Sequence, residues 1–395
     1  MKKIKMLTAL FVLSTILIWA QVSESERRAK FQIGMYGLQP SPGTKGHQNG
    51  SVAEMKDELS LAQRPSSENN IGVNAAIAYR HWDRVDHPNW SLTNYVTNYL
   101  EEMYFATINE DKSAGIQVLT PPLYSSFLQT PLKTAPEDDK GNDRVLDVDL
   151  FKTFVESVLQ KELEIVLKAT EGNIELVKEI MSAPHKRPLG GWYLDDEPLV
   201  RNHDIEVLNT MSSLLKIIEE NFYAKNSSLY LNNRGREAYS HPTHVAFDAD
   251  DLHRHPNSGR PNDGTFYNLN GKNISIDKGK IYTIFNPGTV DVIMPDYYGE
   301  DDNFWNVILN DIDEEFANYK AEKPKVMPVV KSFIKKRNAL PTSEEYEQLI
   351  QSLLEFNIAG VWFYSWRDSF GDRISASELW KKEKADLGRA LKVIE

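Results

Sequence analysis

Cysteine is absent from all 395 residues. That excludes a thiol nucleophile, thiolate-ligated zinc and iron–sulfur clusters, and it leaves no disulfide to staple the fold. Long apolar runs are equally scarce, because beyond residue 20 no stretch approaches the roughly twenty apolar residues of a membrane span. Positive charge is in deficit, with 45 Lys and Arg against 57 Asp and Glu and a net charge of −12. Such a field repels phosphate backbones, so nucleic acid is not an expected partner, and neutral or weakly charged ligands suit the chain better. Glycine and proline, 21 and 19 residues, are too few for a collagen-like or low-complexity chain, and no internal repeat is visible. What is present is an ordinary globular mixture, 41% hydrophobic, long enough to bury a full core without metal or crosslink.

The first twenty residues read as an export signal. Lys2, Lys3 and Lys5 form a basic start, residues 6–19 are apolar except for Thr8, Ser14 and Thr15, and Ala20 offers a small residue for cleavage before Gln21. The expectation is a signal peptide over residues 1–20 and one mature domain over 21–395, secreted or periplasmic, with no membrane span. Export without any cysteine points to a bacterial cell that does not rely on disulfides.

Along the mature chain short β-rich runs alternate with helical patterns. Strands are expected at 31–37 (FQIGMYG), 71–79, 115–120 (GIQVLT), 189–195 (LGGWYLD), 228–232 (SLYLN), 290–295 (VDVIMP), 325–330 (KVMPVV) and 360–364 (GVWFY). The second is the most ambiguous, since NAAIAY also suits a helix. Between strands the apolar residues take helical spacing: Leu208, Met211, Leu215, Ile218 and Phe222 after the fourth, Phe304, Ile308, Ile312, Phe316 and Tyr319 after the sixth. Capping boxes are expected at Thr342/Glu345 and Ser375/Glu378. Each helix is apolar on one side only, so each packs on a sheet, and parallel strands require such crossovers. Eight strand–helix units predict an α/β fold, a (β/α)8 TIM barrel enlarged by long loops after strands three (121–147) and five (235–289). An open doubly wound sheet is the alternative, but no Gly-rich phosphate turn follows an early strand.

Barrel active sites lie at the carboxyl ends of strands. The fourth ends in Asp195-Asp196-Glu197-Pro198, three successive carboxylates after an apolar run. Clustered like charges raise one another's pKa, which is what a general acid needs. Strict alternation would put Asp195 and Glu197 on one face and Asp196 on the other. The competing reading is a solvated acidic strand end that only caps the next helix.

On these residues the chain resembles retaining glycoside hydrolases built on (β/α)8 barrels. Asp196-Glu197-Pro198 is similar to the Asn-Glu-Pro of one large clan, and Asp195-x-Glu197 to the end of the chitinase-like Asp-x-Asp-x-Glu run; both resemblances imply Glu197 as proton donor. The first also implies a nucleophilic Glu ending strand seven, where this chain has Val329-Val330-Lys331. The second implies attack by the substrate's own acetamido group, a polar-aromatic cluster at strand six and a Trp at strand eight. Gly190 and Tyr193 stand where that family's earlier acids would be. A third arrangement takes its second carboxylate from Asp296, Glu300 or Asp368; a separation of about 5–5.5 Å would then mean retention and about 6.5–9.5 Å inversion.

Aromatic and polar residues near strand ends suit a sugar ligand: Tyr36, Trp82, Tyr193, Asn232, Asn233, Tyr297, Tyr298, Lys331, Tyr364, Trp366, Arg367 and Asp368. Trp192 and Trp362 read as core or helix packing. His241, His244, His253 and His255, with Asp248, Asp250 and Asp251, form a polar segment that matches no zinc or calcium motif. No metal and no cofactor are expected. The sequence thus predicts a secreted glycoside hydrolase acting on a poly- or oligosaccharide. Two alternatives stay open: a non-catalytic carbohydrate-binding barrel, and a metal-dependent hydrolase using 241–255.

Overall fold

Nine parallel-paired strands make one closed sheet. In chain order the strands are β1 (Gln32–Tyr36), β2 (Ala75–Ile77), β3 (Gln117–Leu119), β4 (Leu189–Asp196), β5 (Thr243–Asp248), β6 (Phe266–Leu269), β7 (Lys272–Ser275), β8 (Val292–Tyr297), β9 (Lys325–Val326), β10 (Val329–Lys331) and β11 (Gly360–Tyr364). Sheet order is β10-β11-β1-β2-β3-β4-β5-β8-β9, and β10 also pairs with β8, which closes the ring. β9 and β10 are one stave interrupted at Met327-Pro328, where proline has no N–H to give the ladder. The barrel therefore has eight staves, the α/β (β/α)8 architecture expected from the strand–helix alternation. β6 and β7 form a separate antiparallel hairpin. The computed structural model describes residues 31–38, 72–78, 91–128, 146–198, 203–230, 240–248, 266–269, 272–275, 285–286, 288–297, 304–317, 323–331 and 342–364. Residues 1–30, the expected second capping box at Ser375 and Glu378, and most of both long connections lie outside them.

One stave differs from expectation. The fifth is β5, whereas residues 227–229 form a single 3-10 turn directly after the long helix Ile205–Lys225. SLYLN and THVAFD both alternate, but THVAFD registers on β4 from Trp192↔Thr243 and on β8 from His244↔Val292. The ladder with two neighbours decides the stave. Residues 75–77, ambiguous in sequence, are strand, because pairing with β1 and β3 supplies their backbone hydrogen bonds.

The described helices are α1 (Leu92–Thr107), α2 (Leu123–Leu128), α3 (Val148–Ala169), α4 (Ile174–Met181), α5 (Ile205–Lys225), α6 (Phe304–Ala317) and α7 (Ser343–Leu354). Ser91, Asp147, Asn173, Asp204 and Thr342 cap five of them through their side chains. Thr342 and Glu345 complete the capping box read from sequence. Leu208, Met211, Leu215, Ile218 and Phe222 are all buried, so the helical face read on α5 is the one that packs on the sheet. Among the described residues no helix is long and apolar enough to cross a membrane.

The core has two parts, as strand alternation requires. Between staves and helices lies a large apolar layer; inside the barrel lies a smaller cluster that includes Tyr36, Ile77, Leu119, Tyr193, Met294, Val329 and Trp362. Trp362 fills the barrel beside Gly34, where an added Cβ would lie 1.9 Å from the indole. Only glycine admits that indole.

Candidate active site

The carboxyl end of β4 is built by a break in its own register. Trp192 points to the helices, where its indole N–H donates to Glu219 of α5 at 3.0 Å. Tyr193 points into the barrel. Between Tyr193 and Asp195 the pairing with β5 slips, and this bulge overturns the simple alternation. Asp195 turns to the helical side, fully buried, with its Oδ2 2.6 Å from Nδ1 of His203. Asp196 turns to the barrel side, where its Oδ1 accepts the Tyr193 hydroxyl at 2.6 Å. The bulge sets which side of the wall each carboxylate takes: Asp195 faces the helices and Asp196 the barrel.

Glu197 follows, half-buried, with φ +53°. A non-glycine residue in the left-handed region at a strand end is held there against local preference. Its N–H donates to the carbonyl of Ala246 on β5 at 3.1 Å. Burial raises the pKa of Asp195 above the ordinary carboxylate value, although the His203 hydrogen bond opposes the shift. Burial, with Asp196 beside it, also holds the Tyr193 phenol well above its ordinary value, so it stays a donor.

From Asp196 a chain of hydroxyls crosses the barrel mouth. The Tyr193 and Tyr36 hydroxyls lie 3.1 Å apart. Tyr36 meets Trp362 edge-on at 5.8 Å between ring centroids and Tyr364 at 5.4 Å. Four residues singled out from sequence, Tyr36, Tyr193, Asp196 and Tyr364, thus meet in one place, with Trp362 beneath them.

On the opposite wall Val292 and Met294 of β8 are interior, and alternation places buried Asp296 on the same side. Asp296 is in register with Asp248 of β5 and Val329 of β10. Asp248 is a barrel-mouth position that the sequence reading missed as a strand end, because it assigned the fifth stave to 228–232. The alternation of THVAFD was the available signal. Tyr297 is a correction: it points outward, its ring stacked 3.7 Å from Phe304 and edge-on to Trp305 of α6. That is a helix-packing position. Lys331 closes β10 in register with Tyr364. Trp82, Asn232, Asn233, Tyr298, Glu300, Trp366, Arg367 and Asp368 lie outside the described residues.

The histidine-rich segment is divided by the barrel wall. His241, just before β5, lies in the helical layer: its Nδ1 is 2.5 Å from Glu219 and its Nε2 3.2 Å from Glu162. Glu162 of α3 also holds Arg187 at 2.6 Å. The charges of Arg187 and His241 bring the Glu162 pKa down to about 2 against the upward push of burial. These residues sit at the amino ends of the staves, the face associated with stability. His244 is buried in β5 against Gly191, and burial lowers its pKa to about 3. A metal set using both histidines is therefore corrected. Among the described residues no three His, Asp or Glu side chains are placed to hold a metal ion.

No family model and no curated protein matches the chain. Solved structures that it resembles include xylanase B from Clostridium stercorarium F9, at 10% identity and TM-score 0.36, covering 86% of this chain and 89% of that one. A sugar phosphate isomerase/epimerase from Parabacteroides distasonis matches at 9% identity and TM-score 0.38, covering 92% and 96%. A chitinase from Ipomoea carnea matches at 12% identity and TM-score 0.37, covering 92% and 100%. At these scores the likenesses carry no argument about the reaction. The fold rests on the connectivity of the sheet.

Proposed function

We propose that this protein is a secreted glycoside hydrolase cleaving a poly- or oligosaccharide, with Glu197 as general acid/base. The observation that carries this reading is the left-handed backbone of Glu197 at the carboxyl end of β4, next to the Asp196–Tyr193–Tyr36 chain. Strain of this kind persists where the surrounding structure over-determines a side chain, and such positions cluster at active sites.

In this reading Glu197 gives its proton to the glycosidic oxygen as the C–O bond breaks. Asp196, oriented by the Tyr193 hydroxyl, supports the positive charge that develops on the sugar. Tyr364, at the mouth above the buried Tyr36 and Trp362, supplies a flat face for a pyranose ring. Stave seven ends in Lys331 and offers no carboxylate, so the second acid comes from Asp296, Glu300 or Asp368, or is replaced by the substrate's own acetamido group. The missing stave-seven carboxylate also favours a second reading, a barrel that binds glycans without turnover.

The test is hydrolysis of neutral, N-acetylated and acidic glycans by the mature protein beginning at Gln21, with Glu197→Gln in parallel. Turnover that falls about 10²–10⁴-fold in the variant supports the assignment. Full activity in Glu197→Gln defeats it, and glycan binding without turnover selects the second reading.

A further inference from the structure

We infer that His203 is a positioning residue for Glu197, acting through the buried carboxylate of Asp195. The inference deepens the hydrolase reading and rests on it. Asp195 spends both of its oxygens on holding backbone and partner in place: Oδ1 accepts the N–H of Asp196 at 2.8 Å, and Oδ2 meets Nδ1 of His203 at 2.6 Å. His203 is itself fixed from two sides. Its backbone N–H donates to the carbonyl of Pro198 at 2.8 Å. Its ring stacks on Tyr124 of α2 at 4.1 Å, with 21° between planes. The Tyr124 hydroxyl in turn accepts the N–H of Asp204, the cap of α5, at 2.8 Å.

The contacts therefore bracket Glu197. Asp195 holds the residue before it, and His203 holds the carbonyl of the residue after it. Both partners are almost wholly buried, so water does not compete for these bonds. A left-handed glutamate would relax if either bracket opened. Tyr124 brings α2, the first turn beyond β3, into the same arrangement, so two staves share the task. The His203 side chain acts on Glu197 through Asp195, while its backbone N–H, which every substitution keeps, holds Pro198.

Two substitutions separate the donor from the ring. In His203→Asn the amide nitrogen replaces Nδ1, while the stacking on Tyr124 is lost. In His203→Phe the stacking survives and the donor is lost. Amide hydrogen exchange of the full mature chain reads the bracket directly. We expect Asp196 and Glu197 to exchange about tenfold faster or more in His203→Phe, with α5 unchanged and with His203→Asn close to wild type. Asp195→Leu/His203→Phe leaves no buried charge and keeps the test available should the single variant fold poorly; it should show the same loss of protection. Unchanged protection, or an equal loss in the Asn variant, overturns the inference in favour of ring packing.

The glycan panel supplies a second readout. His203→Phe should lower kcat with KM retained, and should add nothing to Glu197→Gln, since both act on one group. Additive losses overturn the positioning role. A fully active Glu197→Gln together with altered exchange leaves the bracket standing and overturns Glu197 as the acid/base; altered exchange with no glycan turnover in the unmodified chain overturns the hydrolase reading instead.

Discussion

Glu197 owes its geometry to the residues around it rather than to its own preference. The bulge in β4 delivers Asp195 to the helices and Asp196 to the barrel, and Glu197 follows with φ +53°. Three successive carboxylates were legible as a candidate site. Which of them faces the barrel was not, because one inserted residue inverts a period of two. The hydroxyl of Tyr193 then matters more than its ring, since it donates to Asp196 while the ring fills the barrel interior. Tyr193→Phe should keep the fold and lower kcat on the best glycan of the panel about tenfold or more, with KM little changed. Losing one buried hydrogen-bond partner costs about 1–3 kcal/mol, enough for that effect. Steady-state kinetics beside a melting curve check it, and an unchanged kcat removes Asp196 from the mechanism.

At the scale of elements, β4 is gripped from outside by α3 and α5. Glu162 accepts the Leu189 N–H at 3.1 Å and holds Arg187, which also donates to Tyr223 at 2.8 Å; Glu219 holds Trp192 and His241. These charges are wholly buried, so the network is costly to break on one side. Arg187→Met should destabilise the protein by about 3–5 kcal/mol in urea unfolding, because Glu162 loses its main counter-charge. Activity of the folded fraction should persist, since this network sits at the opposite end of the staves from Glu197. The apolar faces of the helices were readable from period alone. The network was not, because Glu162, Arg187, Glu219 and His241 are scattered over 80 positions and only the fold brings them together.

For the whole molecule, buried titratable groups set the pH range of stability. Glu162 has a folded pKa near 2 against an ordinary 4.5, so its contribution is present above 4.5 and is lost as pH falls toward about 2. His244, lowered from 6.5 to about 3, refuses a proton that the unfolded chain accepts, so stability is also lost as pH falls below 6.5. His241 works in the opposite direction. Despite burial and the nearby Arg187, its pKa is raised by Glu162 and Glu219, so its contribution is complete below 6.5 and is lost as pH rises through the raised value. The melting temperature should therefore peak near neutrality. His244→Asn should flatten the acid limb and His241→Gln the alkaline one, and a thermal scan across pH checks both. The sequence by itself determined the strand–helix alternation, the helical faces, the acidic strand end and the absence of thiol chemistry, because each is a local pattern with a period or a composition. Tertiary structure decided the fifth stave, the outward turn of Tyr297, the partners of Asp195 and the separation of His241 from His244. Those depend on register and ring closure, in which a shift of one residue moves a side chain to the other side of the barrel wall.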